Sequence, residues 1–121
     1  MSKLILVIED HEDNRRIMFD LFTNAGFKVI EATTGEEGVR VAETHTPDLI
    51  LMDIQLPDID GYEATRRIKA NPALLSIPII AVTSYALSGD DFKAFEAGCD
   101  AYVSKPFSPR ELLSKVNEYL T

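Results

Sequence analysis

Short apolar runs alternate along the chain with longer segments in which apolar residues recur every three or four positions. Several of these runs lack polar alternation, which is typical of strands buried on both faces of a parallel sheet. The runs are too short for helices, and polar or turn-forming residues flank them. The predicted strands are Leu4–Ile8, Phe27–Ala32, Leu49–Met52, Ile77–Val82 and Ala101–Ser104.

The segments between the strands show helical periodicity with start and stop signals. Thr34 and Ser108 precede glutamates at capping-box spacing, whereas Gly26 and Pro47 stop helices. Five helices are predicted. The first follows Asp10, the second begins at Thr34, the third begins at Gly61, the fourth extends from about Leu87 to Ala97, and the fifth begins at Ser108. The side chains predicted to face the core include Ile17, Met18, Leu21, Phe22 and Ala25; Val39, Val41 and Ala42; Ala64 and Ile68; Phe92 and Phe95; and Leu112, Leu113, Val116, Tyr119 and Leu120.

Five strands that alternate with five helices predict an α/β fold, a doubly wound parallel sheet with helices on both faces. The crossover connections should be right-handed. Residues 1–121 suit one domain, and we expect no output domain after the last helix.

Composition narrows the classes of function. The hydrophobic fraction of 45% and the charged fraction of 26% are ordinary for a soluble globular protein. The net charge of −8 argues against unaided binding to nucleic acid or anionic membrane. No run is long enough for a membrane span or a signal peptide, so we expect a cytoplasmic protein. The single cysteine, Cys99, excludes an intramolecular disulfide and is interpreted as a small buried hydrophobe.

Polar groups suited to phosphate chemistry follow four of the predicted strands. They are Glu9 and Asp10, Asp53, Thr83 and Lys105. Because the carboxyl ends of parallel strands lie at one edge of the sheet, these groups should converge there. A single aspartate at a strand end would be explained by turn chemistry, but the other three strand ends favour a functional site.

The charges of this set predict a metal ion and a phosphoryl group. Three carboxylates repel one another, and Mg²⁺ removes the conflict because it prefers oxygen ligands and accepts a phosphate. The formal charges of Glu9, Asp10, Asp53, Mg²⁺ and Lys105 sum to zero. Phosphoryl transfer requires mainly positioning and charge stabilisation. In this scheme Asp53 is the nucleophile, and Thr83 can donate a hydrogen bond to the phosphoryl group.

A set of motifs resembles the receiver domain of bacterial response regulators. They occur in that family's order and spacing over the whole chain: Glu9-Asp10, Leu51–Pro57, Asp60-Gly61, Val82–Ser84, Ala97-Gly98 and Tyr102–Pro106. The resemblance, not the hydrophobic pattern, implies a flavodoxin-like receiver fold with strand order 2-1-3-4-5. It also implies a phosphoacceptor protein of a two-component system or phosphorelay, with a histidine kinase or histidine phosphotransfer protein as the donor.

The resemblance implies a role for each residue of the metal and phosphate site. Asp53 would accept the phosphoryl group, and Lys105 would contact it. Glu9, Asp10, Asp53 and the backbone carbonyl of Gln55 would hold Mg²⁺. The protein would catalyse only its own phosphorylation and dephosphorylation, and so would not be an enzyme acting on a separate substrate.

The resemblance further implies a switch. Thr83 and Tyr102 would move together on phosphorylation, and the Lys105–Pro106 peptide bond would be cis. The fourth helix, fifth strand and fifth helix would form the face that binds an unknown downstream protein, in a protein that is a monomer or weak dimer. Gln55 and Tyr85 border the route of hydrolytic water in the family.

We predict that the bulk of Tyr85 lengthens the lifetime of the acyl phosphate by shielding it from water. Dephosphorylation of Tyr85→Ala, followed by intact mass, should therefore be faster than that of the wild type. An unchanged rate would remove this role.

The same residues argue against two other classes of function, a phosphatase-like hydrolase and a flavin carrier. A phosphatase-like hydrolase usually has a second carboxylate two residues after the nucleophile, where this chain has Gln55. A flavin carrier requires a phosphate loop after the first strand, but Glu9–Asp13 is acidic and would repel a phosphate. A phosphorelay intermediate and a pseudo-receiver that binds without being phosphorylated stay open as alternatives.

Several charged residues near the motifs need no functional role. His11 follows the acidic pair but lacks the context of a phosphate carrier, so we expect no catalytic role for it. His45 is expected at the surface near a helix end. Turn chemistry or a solvated helix face is expected to explain Asp58, Asp60, Arg66 and Arg67.

Overall fold

A computed structural model of the chain describes residues 2–84 and 90–120. Its strands are β1 Leu4–Ile8, β2 Lys28–Ala32, β3 Leu49–Asp53, β4 Ile79–Thr83 and β5 Ala101–Ser104. Its helices are α1 Glu12–Asn24, α2 Gly35–His45, α3 Gly61–Lys69, α4 Asp90–Ala97 and α5 Pro109–Leu120. The predicted alternation of strands and helices is confirmed. The predicted start of the fourth helix at Leu87 lies outside the described residues, as does Tyr85.

All strand pairs are parallel, and the strands are ordered β2-β1-β3-β4-β5. This order confirms the topology that the family resemblance implies. It places β1 and β3 side by side at the centre, with Ile8 opposite Met52. The carboxyl ends of these two strands therefore lie next to each other, at the point where the chain connections diverge to opposite faces.

Alternate strand residues face two separate cores, which is why the apolar runs show no polar alternation. One core packs residues such as Leu6 and Met52 against α2, α3 and α4. The other packs residues such as Val7 and Leu51 against α1 and α5. Helices therefore cover both faces of the sheet, as predicted.

The strand boundaries differ slightly from the prediction. β4 begins at Ile79 because Pro78 has no N–H to donate, although its carbonyl still accepts a hydrogen bond from Ile50. β3 extends to Asp53 and β4 to Thr83, so both polar residues belong to the ladder. Asp53 lies opposite Val82 in the register. The two side chains are thus fixed by strand backbone rather than by loops.

Some residues predicted to face the core are exposed. Phe92 and Phe95 are 68% and 49% exposed, because α4 turns its small residues Ala94 and Ala97 toward the sheet. On α1, Ile17 is 46% exposed, whereas Met18 and Phe22 are buried. Ala25 is also exposed beyond the end of α1, and Tyr119 is partly exposed at the end of α5. The five-residue apolar stripe predicted for α1 is wider than the part of the helix surface that the sheet covers, so the residues at its edges are exposed.

Within residues 2–84 and 90–120, no helix combines the length and apolar character needed to cross a bilayer.

Candidate functional site

Two carboxylates are buried side by side at the carboxyl edge of the sheet. Glu9, directly after β1, is 0% exposed, and Asp53, the last residue of β3, is 2% exposed. Asp10 follows in the loop, with its side chain 27% exposed. Oxygens of these three carboxylates and a ring nitrogen of His11 all lie within 4.8 Å of one another. The predicted convergence of Glu9, Asp10 and Asp53 is therefore present.

Lys105 reaches this cluster from the loop after β5. Its Nζ lies 3.0 Å from Oε1 of Glu9 and 3.3 Å from Oδ1 of Asp53. Its backbone N–H donates to the carbonyl of Thr83 at 2.7 Å, which continues the β4–β5 ladder beyond Ser104. The Lys105–Pro106 peptide bond is cis, as the resemblance implies. The ammonium group offsets part of the negative charge of the two buried carboxylates.

Among the described residues, three buried carboxylate oxygens have no hydrogen-bond partner, and one of them, Oε1 of Glu9, lies beside the Lys105 ammonium. Oδ1 of Asp53 accepts from the N–H of Gln55 at 3.2 Å, but Oδ2 has no donor. Buried polar atoms are almost always satisfied, so a buried carboxylate oxygen without a donor is suited to binding a cation. Oδ1 of Asp10 also lacks a hydrogen bond. This set of oxygens fits a hard divalent cation such as Mg²⁺.

The two buried carboxylates cannot both ionise easily. Burial, a hydrogen bond to the Glu9 carboxyl and the Glu9 charge together raise the pKa of Asp53 to about 7, against the opposing effects of Lys105 and the Gln55 N–H. Burial also acts to raise the pKa of Glu9. This effect is outweighed by hydrogen bonds from Asp53 and the His11 N–H and by the charge of Lys105, so the pKa of Glu9 stays below its usual value. In the absence of a cation, the two carboxylates therefore share a proton up to about pH 7.

Thr83 and Tyr102, the two residues of the predicted switch, lie in the neighbouring strands β4 and β5. Thr83 is fully buried at the end of β4. Tyr102, in β5, is half-buried and meets the exposed Phe95 of α4 edge to face, with ring centroids 6.0 Å apart. Their coupled movement remains a prediction. The Gln55 side chain is exposed next to Asp53, and the roles of its carbonyl and side chain also remain predictions.

The sequence analysis missed Arg15. Its Nη1 donates to the backbone carbonyls of Glu9 at 3.1 Å and Asp10 at 3.4 Å, and its Nε lies 3.2 Å from Oε2 of Glu31 in β2. Arg15 thus holds the loop that carries the acidic pair. The sequence pattern gives no indication of this role, because Arg15 lies off the apolar stripe of α1 and its partners are backbone carbonyls, which carry no residue-specific pattern.

Asp58 contradicts the expectation that turn chemistry explains it. Its two carboxylate oxygens accept from the N–H groups of Gly35 and Glu36, each at 2.8 Å, at the start of α2. Slight burial acts to raise the pKa of Asp58, but these N–H groups outweigh it and hold the pKa below its usual value. The loop after β3 is therefore attached to a helix that lies over 20 residues earlier in the chain. Asp60 fits the expectation, since it caps its own helix by accepting from the N–H of Glu63.

We expect Asp58→Asn to destabilise the protein by about 1 kcal/mol near pH 7, because the amide retains only one acceptor oxygen for two donors. The folded-state pKa of Asp58 is depressed, so its stabilisation is present above about pH 4 and is lost as the pH falls through the folded-state value. Urea unfolding of both proteins between acidic and neutral pH measures this. A difference that does not shrink in acid would contradict the cap; Glu43→Gln, an exposed change on α2, is the control.

The expectations for His45, Arg67 and Cys99 agree with the structure. His45 is exposed, and Arg67 lies on a solvated face where it pairs with Glu36 at 2.9 Å and Glu63 at 3.0 Å. Cys99 is buried, and burial raises the pKa of its thiol to about 11. His11, for which no catalytic role is predicted, lies beside the acidic pair. Its Nδ1 lies 3.2 Å from carboxylate oxygens of both Glu9 and Asp10.

Comparison with known proteins agrees with this site. The response regulator receiver domain model matches residues 5–117. The chain is 41% identical to the polar-differentiation response regulator DivK of Brucella ovis, covering 99% of this chain and 98% of that protein.

Two solved structures share the fold over nearly their whole lengths. The receiver domain of the sensor histidine kinase PA1611 of Pseudomonas aeruginosa, which has a magnesium ion coordinated in its active-site cleft, superposes with a TM-score of 0.93 at 37% identity, covering 99% of this chain and 98% of that one. A receiver domain protein of Methanospirillum hungatei gives 0.90 at 34% identity, covering 99% and 94%. The sheet order, the acidic cleft and these matches together establish that the chain belongs to the response regulator receiver family of two-component signalling.

Proposed function

We propose that this protein is a phosphoacceptor response regulator, in which Asp53 takes a phosphoryl group from a phosphohistidine with Mg²⁺ in the acidic cleft. The observation that carries the proposal is the buried, unpartnered Oδ2 of Asp53, with Lys105 at 3.3 Å from the other oxygen of the same carboxylate. A nucleophilic carboxylate and a cation are thus held side by side in a largely buried cleft.

The carboxylate oxygens of the cleft and a solved relative both support Mg²⁺ as the bound ion. Glu9, Asp10, Asp53 and the Gln55 carbonyl would hold it, and the receiver domain of PA1611 carries magnesium in its cleft. When bound, the ion supplies positive charge that favours the ionised carboxylate and stabilises phosphoryl oxygens.

The chain's own residues then perform an in-line displacement. A carboxylate oxygen of Asp53 forms a bond to phosphorus while the bond from phosphorus to the donor's imidazole nitrogen breaks, and that nitrogen keeps the electron pair and takes a proton from solvent. The Lys105 ammonium is placed to attract the phosphoryl oxygens. The buried Thr83 hydroxyl at the end of β4 would donate to one of them.

Phosphorylation would act by a shift between two conformations. If the phosphoryl group bonds to Thr83 better in one of them, that conformation becomes more populated. Tyr102 would follow, since it lies in the neighbouring strand. The face formed by α4, β5 and α5 would transmit the change to a downstream protein, with a histidine kinase or phosphotransfer protein as donor. The half-buried Tyr102 and exposed Phe95 supply an aromatic contact on that face.

Incubation with acetyl phosphate and Mg²⁺, followed by intact mass, tests the proposal. We expect wild type to gain one phosphoryl group and Asp53→Asn to gain none. Asp60→Asn is the matched control, because this aspartate caps α3 outside the cleft, and it should gain the group as wild type does. No gain in wild type would reject phosphorylation and favour a pseudo-receiver. A gain retained in Asp53→Asn would show a different acceptor.

A further inference from the structure

We propose that His11 is a metal ligand of the acidic cleft, and that the cleft consequently binds divalent transition-metal ions more tightly than Mg²⁺. The inference deepens the proposed function by adding a nitrogen ligand to its metal site. Nδ1 of His11 lies 3.2 Å from Oε2 of Glu9 and 3.2 Å from Oδ1 of Asp10. With Asp53, these residues place four ligand atoms within 4.8 Å of one another.

The spacing suits neighbouring ligands of one ion. Bonds of about 2.1 Å at right angles place two adjacent octahedral ligands about 3.0 Å apart. The distances from Nδ1 to the Glu9 and Asp10 oxygens are close to this value. Because the His11 side chain is 63% exposed, its ring can turn by the small remaining amount without disturbing the core. Its other nitrogen would then face solvent.

Unpartnered oxygens around the ring favour a cation over a simple hydrogen bond. A protonated Nδ1 could donate to Oε2 of Glu9 at 3.2 Å. That bond would leave Oδ1 of Asp10 and the buried Oδ2 of Asp53 without partners. A cation bound between the four side chains would be coordinated by the imidazole nitrogen and by these oxygens at the same time. The second observation is the unpartnered Oδ2 of Asp53, a residue of the same cluster that is 98% buried.

Ligand chemistry then predicts the order of affinities. Mg²⁺ binds oxygen and gains little from imidazole, whereas imidazole suits nickel and zinc. For a site of fixed ligands, affinity rises from Mn²⁺ to Ni²⁺. The contribution of His11 should therefore be smallest for Mg²⁺, larger for Mn²⁺ and largest for Ni²⁺. A site built from carboxylates and a carbonyl alone would show no such dependence on residue 11.

Calorimetric titration of untagged protein with Mg²⁺, Mn²⁺ and Ni²⁺ separately tests the inference in wild type, His11→Asn and His45→Asn. We expect the Kd for Ni²⁺ to rise about tenfold or more in His11→Asn, that for Mn²⁺ to rise less, and that for Mg²⁺ to stay within about twofold. His45→Asn, which removes the other histidine from an exposed helix end, should match wild type for all three ions. Nitrogen NMR should show the His11 Nδ1 resonance shift on addition of diamagnetic Zn²⁺.

An Ni²⁺ affinity that is unchanged in His11→Asn would overturn the inference, as would an equal loss for all three ions, which indicates a distorted cleft. Wild type that binds Ni²⁺ through His11 but takes no phosphoryl group with any ion would support the ligand and reject the proposed function. If wild type is phosphorylated with Mg²⁺ but its Ni²⁺ affinity does not depend on His11, the proposed function would be supported and the His11 ligand rejected.

Discussion

Replacing Asp53 with asparagine should stabilise the metal-free protein by about 2 to 4 kcal/mol near pH 8. The carboxyl is 2% exposed, and burial and Glu9 raise its pKa from 3.8 to about 7. Ionising it in the folded state is therefore costly, and an amide of the same shape avoids that cost. The full shift corresponds to about 4 kcal/mol, and the ion pair with Lys105 that the substitution removes lowers the gain.

The effect should depend on pH in a defined direction. Between about pH 4 and pH 7 the unfolded chain has lost the Asp53 proton while the folded chain keeps it. The folded state then binds more protons, so the stability of wild type falls as the pH rises through this window. Below about pH 4 both states are protonated, and the advantage of Asp53→Asn should disappear.

Urea unfolding in a metal chelator at several pH values measures this prediction. Asp60→Asn, a change at an exposed cap, is the control for replacing aspartate by asparagine. Saturating Mg²⁺ should stabilise wild type and stabilise Asp53→Asn much less, since one ligand is lost. A gain of equal size at every pH would contradict the buried-carboxyl explanation.

Gly61→Ala should be the most damaging single methyl addition at the site, with a loss of about 3 kcal/mol. A Cβ at residue 61 would lie 2.7 Å from Cα of Ile54 and closer still to the carbonyl oxygen of Asp53. Both neighbours are backbone atoms and cannot turn aside. Since the N–H of Gly61 also donates to the carbonyl of Ile54, the loop after β3 must move away from α3.

Gly35→Ala is a matched control because both glycines occupy the first position of a capped helix. A Cβ at residue 35 would lie 2.5 Å from the flexible side chain of Ile59 and 3.0 Å from its carbonyl oxygen. Because the side chain can move, we expect a loss of stability of only about 1 kcal/mol. Thermal unfolding compares the two variants, and Mg²⁺ titration reports whether the loop has shifted. Equal losses in stability, with no change in Mg²⁺ affinity for Gly61→Ala, would show that the loop tolerates the methyl group.

Local pattern was sufficient for the elements and for the edge that carries the site. Continuous apolar runs separated by amphipathic segments predict buried strands and covering helices, because the spacing of apolar residues along the chain shows which side chains face the core. The polar residues that end these runs, such as Asp53 and Thr83, share one edge in any parallel arrangement. The central strand order, by contrast, was available only from resemblance to a family, since nothing in the period of a strand specifies its neighbours.

Tertiary structure alone decided which distant groups meet. The cap that Asp58 forms on α2 and the approach of Lys105 to Glu9 and Asp53 depend on how separate loops come together. It also decided that Phe95 is exposed while Ala94 is buried, because the sheet covers only one side of α4. The sequence by itself thus determined which residues are buried in strands and where polar groups leave them. The distances that turn those groups into a metal and phosphate site arise from strand order and loop packing, which no local period encodes.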